Sequence, residues 1–299
     1  MFKQLFRRFF KPSSPSVNVE DNWLKQLLTD PQFFNELLRV FKAPSTSTKI
    51  TILSWNLEDG NGVRQVTKDP KVAEALQRTQ PGILCFSEVP NWNQFREIKN
   101  WANTKLGGNW DIPVISGNVA GDDKLGILFD AAKFTLVEAN RLTGWITQGE
   151  RGYRNPLSVV LVSQETGAEF EVITVHPNRR SGAKRGQQFR FLAEYMLKAE
   201  RPVLLVGDTN GDFNPQTGEA NPEFAQFLEA VSAKYALAQF LGKTPVTGTC
   251  NQRFQTLLDL LIVPQNVEAI IDYLFDEERQ RQCIQENSDH FPLIGHVTL

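Results

Sequence analysis

Short apolar segments dominate the chain from residue 49 onward, and most of them end at polar residues. Their length and their β-branched residues predict strands, at Lys49–Trp55, Gly82–Ser87, Lys124–Asp130, Leu157–Ser163, Glu169–Val175, Pro202–Gly207, Leu257–Val263 and Gly295–Leu299. Between them lie patterns typical of amphipathic helices, clearest at Val72–Thr79, Gln187–Ala199 and Glu223–Ala233. Several strands are apolar throughout, which predicts sheets that pack against another sheet on one face and against helices on the other.

The residues where these strands end have side chains suited to catalysis. They are Asn56, Glu88, His176, Asp208 and Asn210, with Asp259 inside its strand and Asp289 and His290 just before the last strand. Because α/β folds place their sites where strands end, we expect these side chains to lie close together. The chain has three histidines. The one outside this set, His296, is interpreted as a half-buried strand residue.

The composition divides the chain into three segments. Residues 1–20 are predicted to be a basic, flexible tail and linker, residues 21–48 a short helical extension with its own linker, and residues 49–299 the main domain. Residues 1–11 combine cations with phenylalanines and contain no acid. They are therefore either an amphipathic segment that binds an anionic membrane or a partner, or a frayed terminus. The pattern of a signal peptide is not found there.

Charge and cysteine content narrow the function classes. The formal net charge of −2 gives no overall attraction to a polyanion, so any preference for nucleic acid or phospholipid must come from a local basic patch. The three cysteines are widely spaced and form no C-x-x-C pair, which supports neither a disulfide framework nor a zinc site. We expect a reducing, cytoplasmic location. The apolar segments are too short to span a bilayer, so no transmembrane helix is expected.

An ordered set of short motifs resembles the endonuclease/exonuclease/phosphatase family. The motifs are S-W-N-L at 54–57, F-S-E-V at 86–89, T-V-H-P-N at 174–178, G-D-T-N at 207–210, L-D-L at 258–260 and S-D-H at 288–290. The resemblance covers 49–299 and implies a four-layer α/β sandwich, in which two mainly antiparallel sheets pack face to face with helices outside. It also implies that this segment is a catalytic domain that hydrolyses phosphate esters with Mg²⁺ or Mn²⁺.

The resemblance assigns a metal site to three of the strand-end residues. Glu88 is implied to be the principal metal ligand, with Asn56 and Asp289 beside it. Carboxylate and amide oxygens are the donors that a hard cation prefers, so the chemistry of these side chains agrees with the assignment.

The same resemblance assigns catalytic roles to the remaining strand-end residues. Asp208 and Asn210 are implied to orient the attacking water and to contact the phosphate. His290 is implied to bind or protonate the phosphate, while Asp259 holds its ring in one tautomer and raises its pKa.

Two further residues resemble family elements that act near the phosphate. His176 is similar to the second histidine of the deoxyribonuclease-like branch. Arg154, in the sequence R-N-P-L, is similar to an R-x-P-L element that places a cation at the phosphate.

The sequence departs from the family pattern in ways that leave the substrate open. A second D-x-N motif, Asp212 and Asn214, follows the first, and we prefer Asp208 and Asn210 because they come directly after an apolar strand. The proline and asparagine after His176 are similar to the abasic-endonuclease branch, whereas the histidine itself is similar to the deoxyribonuclease branch.

A basic stretch after His176 is predicted to be a mobile loop at the mouth of the site that binds a polyphosphate or nucleic-acid backbone. Its substrate-binding candidates are Asn178, Arg179, Arg180, Lys184 and Arg185. The alternative is a solvated surface loop. Four tryptophans either offer stacking faces for bases or belong to the core: Trp92, Trp101, Trp110 and Trp145.

The leading hypothesis is a metal-dependent phosphodiesterase, specifically a nuclease, because of the basic stretch. The alternatives are a phosphatase, a phosphodiesterase acting on phospholipids or inositol phosphates, and a non-catalytic binding module that kept the fold. A further hypothesis is recruitment of the enzyme to a membrane or partner through residues 1–11.

Overall fold

The computed structural model describes residues 47–116, 124–145, 154–242, 256–275 and 288–299. Residues 1–46 of the predicted tail and helical extension, together with Cys250 and Cys283, lie outside these residues. Within them, no helix is long and apolar enough to cross a bilayer.

Two mixed sheets form the centre of the described part of the chain. The first contains β1 Lys49–Asn56, β2 Ile83–Val89, β3 Trp110–Asp111, β4 Lys124–Asp130, β10 Gln239–Phe240, β12 Glu268–Tyr273 and β13 Leu293–Thr298, in the order β10-β12-β13-β1-β2-β4-β3. The second contains β5 Phe134–Arg141, β6 Leu157–Ser163, β7 Glu169–Val175, β8 Val203–Phe213, β9 Tyr235–Leu237 and β11 Leu257–Pro264, in the order β5-β6-β7-β8-β11-β9. Most neighbouring strands run antiparallel, the exceptions being β1 with β2, β7 with β8 and β10 with β12.

Helices cover the outer faces of both sheets. They are α1 Asn61–Lys68, α2 Pro70–Thr79, α3 Trp92–Lys105, α4 Gly182–Lys198 and α5 Pro222–Val231, with a 3₁₀ turn at Thr143–Trp145. Apolar residues of α1, α2 and α3 pack with Leu53, Trp55 and Phe86 from the first sheet. Those of α4 and α5 belong to the core of the second sheet. The expected four-layer sandwich with two mainly antiparallel sheets is therefore confirmed.

The continuous apolar segments were predicted well, and the mixed ones were not. The strands at Lys124–Asp130, Leu157–Ser163 and Glu169–Val175 have the predicted bounds. The strand predicted to end at Gly207 continues to Phe213, so Asp208 and Asn210 lie inside it. Strands β5 and β12 were missed because most of their residues are exposed or half-buried and give no apolar segment.

Small errors at element ends also have physical causes. The last strand begins at Leu293 rather than Gly295, since the apolar pair before the glycine joins the ladder with β1. His296, expected to be half-buried, is exposed, with Nδ1 3.2 Å from Thr51 Oγ1. Helix α3 begins after Asn91, whose side chain accepts from the Gln94 N–H, and its apolar residues recur at helical spacing.

Candidate active site

Strand alternation directs the candidate side chains into the space between the two sheets. On β1, Ile50 and Ile52 belong to the core between the sheets, whereas Leu53 and Trp55 pack under the helices. Because side chains alternate along a strand, Asn56 lies on the inner face with Ile50 and Ile52. The same alternation places Asp208 on the inner face of β8, directly opposite Asp259 on β11.

Glu88 reaches the site through an irregularity in β2. Regular alternation would place it on the same face as Phe86, which packs under the helices. The register with β4 shifts between Phe86 and Val89, and Glu88 has a φ of 57°. This bulge redirects the carboxylate. Glu88 Oε2 then accepts from the Asp59 N–H at 3.2 Å, and Oε1 lies 3.5 Å from His176 Nε2.

Asp208 is at the centre of the cluster and is buried, with 2% of its surface exposed. Its Oδ2 accepts from Asn56 Nδ2 at 3.0 Å and lies 3.2 Å from His176 Nε2 and 3.7 Å from His290 Nε2. Its Oδ1 accepts from the Asn210 N–H at 2.8 Å. One carboxylate oxygen therefore faces an amide and two imidazoles.

Opposing effects set the pKa of Asp208. Burial alone would raise the pKa, because it disfavours the charged carboxylate. The positive charges of His176 and His290 and the bond from the Asn210 N–H outweigh burial, so the pKa is lowered from its ordinary value. The group is consequently ionised at neutral pH.

A second buried carboxylate, Asp259, holds the His290 ring. Its Oδ2 lies 2.6 Å from His290 Nδ1, and its Oδ1 accepts from the Ser54 hydroxyl at 3.4 Å. Burial raises the pKa of Asp259, and the nearby His290 opposes the rise without cancelling it. A bond of this kind places the ring proton on Nδ1 and directs Nε2 toward Asp208.

Arg154 is buried beside His176 and Glu88. Its Nη1 contacts His176 Nδ1 and lies 3.9 Å from Glu88 Oε1. A guanidinium only donates, so in a neutral His176 ring Nδ1 accepts and Nε2 carries the proton that faces Asp208. When both rings are neutral, the two histidines present opposite tautomers to the same carboxylate.

Asn210 is held at the edge of the cluster in a left-handed conformation, with a φ of 48°. Its Nδ2 donates to the Pro177 carbonyl oxygen at 3.1 Å, and its backbone carbonyl oxygen accepts from Asn221 Nδ2 at 2.7 Å. The alternative motif lies elsewhere: Asp212 is exposed, and Asn214 Oδ1 accepts from backbone N–H groups of the following turn. The structure therefore brings Asp208 and Asn210 into the cluster and leaves the other pair outside it.

Glu58 is a site residue that the sequence analysis missed. Its Oε2 accepts from the Asp289 N–H at 3.1 Å. Burial raises its pKa, and the carboxylates of Asp289 and Glu88 raise it further. Its place two residues after Asn56, directly after the first motif, was the signal that could have identified it.

The donor atoms here suit a hard cation by their chemistry. Glu88 and Asp289 supply carboxylate oxygens, and Asn56 supplies an amide oxygen that accepts from the Glu58 N–H at 3.0 Å. In the part of the chain that the structure describes, however, no group of three or more His, Cys, Asp and Glu side chains is arranged to hold a metal ion.

The basic stretch after His176 is a short turn followed by the first turn of a helix, so the prediction of a loop is wrong from Gly182 onward. Helix α4 begins at Gly182, and the Ser181 side chain caps it by accepting from the Lys184 N–H. Arg185 donates to the carbonyl oxygens of Asn178 and Arg179 and pairs with Glu223 at 3.5 Å. The prediction failed because the apolar period of the helix starts several residues after its cap.

The other members of the basic stretch differ in exposure. Asn178 Oδ1 accepts from the backbone N–H groups of Arg180 and Ser181, which closes the turn before α4. The side chains of Arg179 and Arg180 are exposed, and Lys184 is half-buried. Of the four candidate tryptophans, Trp101, Trp110 and Trp145 are buried in the core, and Trp92 is 40% exposed.

Comparison with known proteins relates the fold to one family. No family model and no curated protein matches the sequence. Among solved structures, an endonuclease/exonuclease/phosphatase family protein from Bacteroides thetaiotaomicron superposes with a TM-score of 0.65 and 20% identity, covering 85% of this chain and 98% of that one. The chain therefore has the fold of the endonuclease/exonuclease/phosphatase proteins.

Two further structures carry named activities or ligands. A mannosyl-6-phosphatase from B. thetaiotaomicron matches with a TM-score of 0.61 and 18% identity over 83% of this chain and 99% of its own. D. rerio TDP2, in complex with a single-stranded DNA product, matches with a TM-score of 0.60 and 16% identity over 84% and 99%.

Proposed function

We propose that the chain is a divalent-metal-dependent hydrolase of phosphate esters. The proposal rests on the three nitrogen atoms that surround Asp208 Oδ2. They are Asn56 Nδ2, His176 Nε2 and His290 Nε2, at 3.0, 3.2 and 3.7 Å. The fold supports it, since a phosphatase is among the proteins that share this fold.

Glu88, Asn56 and Asp289 would hold the cation, with Glu58 beside them. Bound Mg²⁺ or Mn²⁺ would neutralise charge on the phosphate and polarise one of its oxygens. The bulge at Glu88 supports this placement, because it moves a carboxylate from the helix-covered face into the site.

Asp208 would orient the attacking water. A carboxylate with a lowered pKa is a weak base, so its contribution comes mainly from holding the water in line with the phosphorus atom. His290, with Asp259 behind its ring, would donate to a phosphoryl oxygen from Nε2 when protonated. The guanidinium of Arg154 would balance the charge that develops on the phosphate.

The finer proposal is a phosphodiesterase that acts on nucleic acid. Arg179 and Arg180 are exposed next to the turn that follows His176, and such cations attract a phosphate backbone. TDP2, which shares the fold, was solved with single-stranded DNA. The second candidate is a phosphomonoesterase, favoured by the mannosyl-6-phosphatase with the same fold.

The test is a substrate panel with Mg²⁺ or Mn²⁺: single-stranded and duplex DNA, RNA, bis-nitrophenyl phosphate, sugar phosphates, inositol phosphates and sphingomyelin. Asp208→Asn is expected to lower kcat by on the order of 10²–10⁴-fold. Asp212→Asn is the matched control, since it changes the same residue type further along β8, at an exposed position. Hydrolysis unaffected by Asp208→Asn would exclude the proposal.

A panel with no turnover would favour the non-catalytic binding module instead. Binding of a panel member that needs no metal and survives Asp208→Asn would then be expected. Recruitment through residues 1–11 is a separate question. Co-sedimentation of the full chain and of a chain lacking that segment with anionic vesicles decides it, and equal pelleting of both would exclude recruitment.

A further inference from the structure

Glu58 lies where the segment after β1 meets the segment before β13. The ladder between these strands has ended by this point, and side chains continue the connection. The Ser288 hydroxyl donates to the backbone carbonyl oxygen of Asn56 at 2.8 Å, and Glu58 Oε2 accepts from the Asp289 N–H at 3.1 Å. The loop that carries His290 is therefore attached to β1 through side-chain bonds, and Glu58 provides one of them.

The backbone of Glu58 also orients Asn56. The Glu58 N–H donates to Asn56 Oδ1 at 3.0 Å, so the amide Nδ2 is directed to Asp208 Oδ2, also at 3.0 Å. Glu58 has a φ of 43°, which is unfavourable for a residue with a Cβ atom. The strained conformation lets one residue bond both to Asn56 and to the loop that carries His290.

We propose that Glu58 is a positioning residue that holds His290 against Asp208 through its bond to the Asp289 N–H. The inference rests on the proposed function, in which His290 donates to the phosphate. His290 directly follows Asp289, and its own N–H donates to the Ser288 hydroxyl at 3.1 Å. Loss of the Glu58 acceptor would release one of the bonds that fix the ring 3.7 Å from Asp208.

The local charges make the proposal testable. Glu58 faces the carboxylates of Asp289 and Glu88, which repel it. A glutamine at this position would still offer an oxygen to the Asp289 N–H and would remove that repulsion. Glu58→Gln therefore keeps the acceptor and removes the charge, whereas Glu58→Ala removes both.

Kinetics and metal binding are measured together on both variants. Glu58→Ala is expected to lower kcat by about 10–100-fold with KM within about threefold, because a displaced catalytic group costs rate more than binding. Glu58→Gln is expected to retain most of the wild-type kcat. Calorimetric titration with Mn²⁺ should give the same affinity for both variants as for the wild type. Equal loss of rate and of metal affinity in both variants would overturn the proposal and make Glu58 a metal ligand. The matched control is Glu74→Gln, at an exposed position on α2.

A readout without substrate separates this inference from the proposed function. Hydrogen exchange of the Asp289 amide, followed by NMR, should be faster in Glu58→Ala and close to wild type in Glu58→Gln. Unchanged exchange in a folded Glu58→Ala protein would overturn the positioning role even if the panel shows no turnover. If Glu58→Ala does not fold, Glu58→Gln decides: slow exchange of the amide supports the role, and fast exchange overturns it.

Discussion

His290 Nδ1 lies 2.6 Å from Asp259 Oδ2, although Asp259 belongs to β11 of the second sheet and His290 precedes β13 of the first. The bond crosses the interior of the sandwich and is buried at both ends. It fixes the ring so that Nε2 faces Asp208. The bond therefore depends on how the two sheets pack against each other.

Replacement of Asp259 by Asn should therefore disturb the ring without emptying the site. An amide can donate to Nδ1 instead of accepting from it, which selects the wrong tautomer. We expect kcat to fall by on the order of 10²–10⁴-fold on whichever panel substrate is hydrolysed. Asp272→Asn is the control, because it makes the same replacement on β12 of the first sheet, whereas Asp259 lies on β11 of the second. The Asp272 carboxylate accepts from the adjacent Tyr273 N–H. A kcat within about threefold of wild type for Asp259→Asn would contradict the role of the bond.

Removal of the divalent cation should abolish hydrolysis. Treatment with EDTA is expected to stop turnover, and Mg²⁺ or Mn²⁺ to restore it. Glu88→Gln should weaken Mn²⁺ binding in calorimetry, because it replaces a charged oxygen ligand by a neutral one. Glu74→Gln provides the control for the removal of one carboxylate. Full activity in EDTA would contradict a metal-dependent mechanism.

The exposed cations before α4 should distinguish polymer from small substrates. Arg179→Ala and Arg180→Ala are expected to raise KM for DNA or RNA and to leave a small phosphomonoester unaffected. Removal of one cation that pairs with a backbone phosphate should make the logarithmic salt dependence of binding shallower by about 1. Lys71→Ala and Arg78→Ala, exposed cations on α2, are the matched controls. Equal effects at both places would show that only general charge matters.

The pair formed by Glu171 and Tyr195 should contribute to stability and not to activity. Glu171 is buried in β7 and accepts from the Tyr195 hydroxyl at 2.7 Å and from the Ser158 hydroxyl. Tyr195→Phe removes a donor from a buried carboxylate, so we expect the free energy of unfolding to fall by about 1–3 kcal/mol. Denaturant titration measures this change, and kcat should remain near wild type.

The same tyrosine predicts an alkaline pH dependence. Burial and the nearby Glu171 raise the pKa of Tyr195 from its usual 10 to about 12. A raised pKa means that the folded state favours the protonated hydroxyl. Its contribution is therefore complete below pH 10 and is lost as the pH rises toward 12. The stability difference between wild type and Tyr195→Phe should shrink over that interval, and a difference that stays constant would contradict the assignment.

The sequence predicted the part of the fold in which burial leaves a continuous record. The strand Leu157–Ser163, for example, is buried on both faces and has an unbroken apolar segment between its two serines. β5 is a strand of similar length without that record, because it is an edge strand with Leu136 and Val137 exposed. Its pairing with β6 is set by the neighbouring strand, which no local pattern encodes.

The candidate site was predictable in its residue types and not in its geometry. The motifs place Asn56, Asp208 and His290 close to the strands that position them. The sequence does not reveal that Glu88 changes face through a bulge, because a bulge depends on the register with β4. Nor does it reveal the bond from the Asp289 N–H to Glu58, because the two residues lie at opposite ends of the domain sequence.

The bulge at Glu88 makes the pairing of β2 with β4 as important as residue identity. Regular pairing of all four residues from Phe86 to Val89 with β4 would leave the glutamate in the chain and remove the bulge around it. The carboxylate would then alternate back toward the helices, into an apolar layer where a charge is unfavourable. Changes that make the pairing of this short piece of backbone with β4 regular are therefore a route by which proteins with the same fold could lose the chemistry while keeping every characteristic side chain.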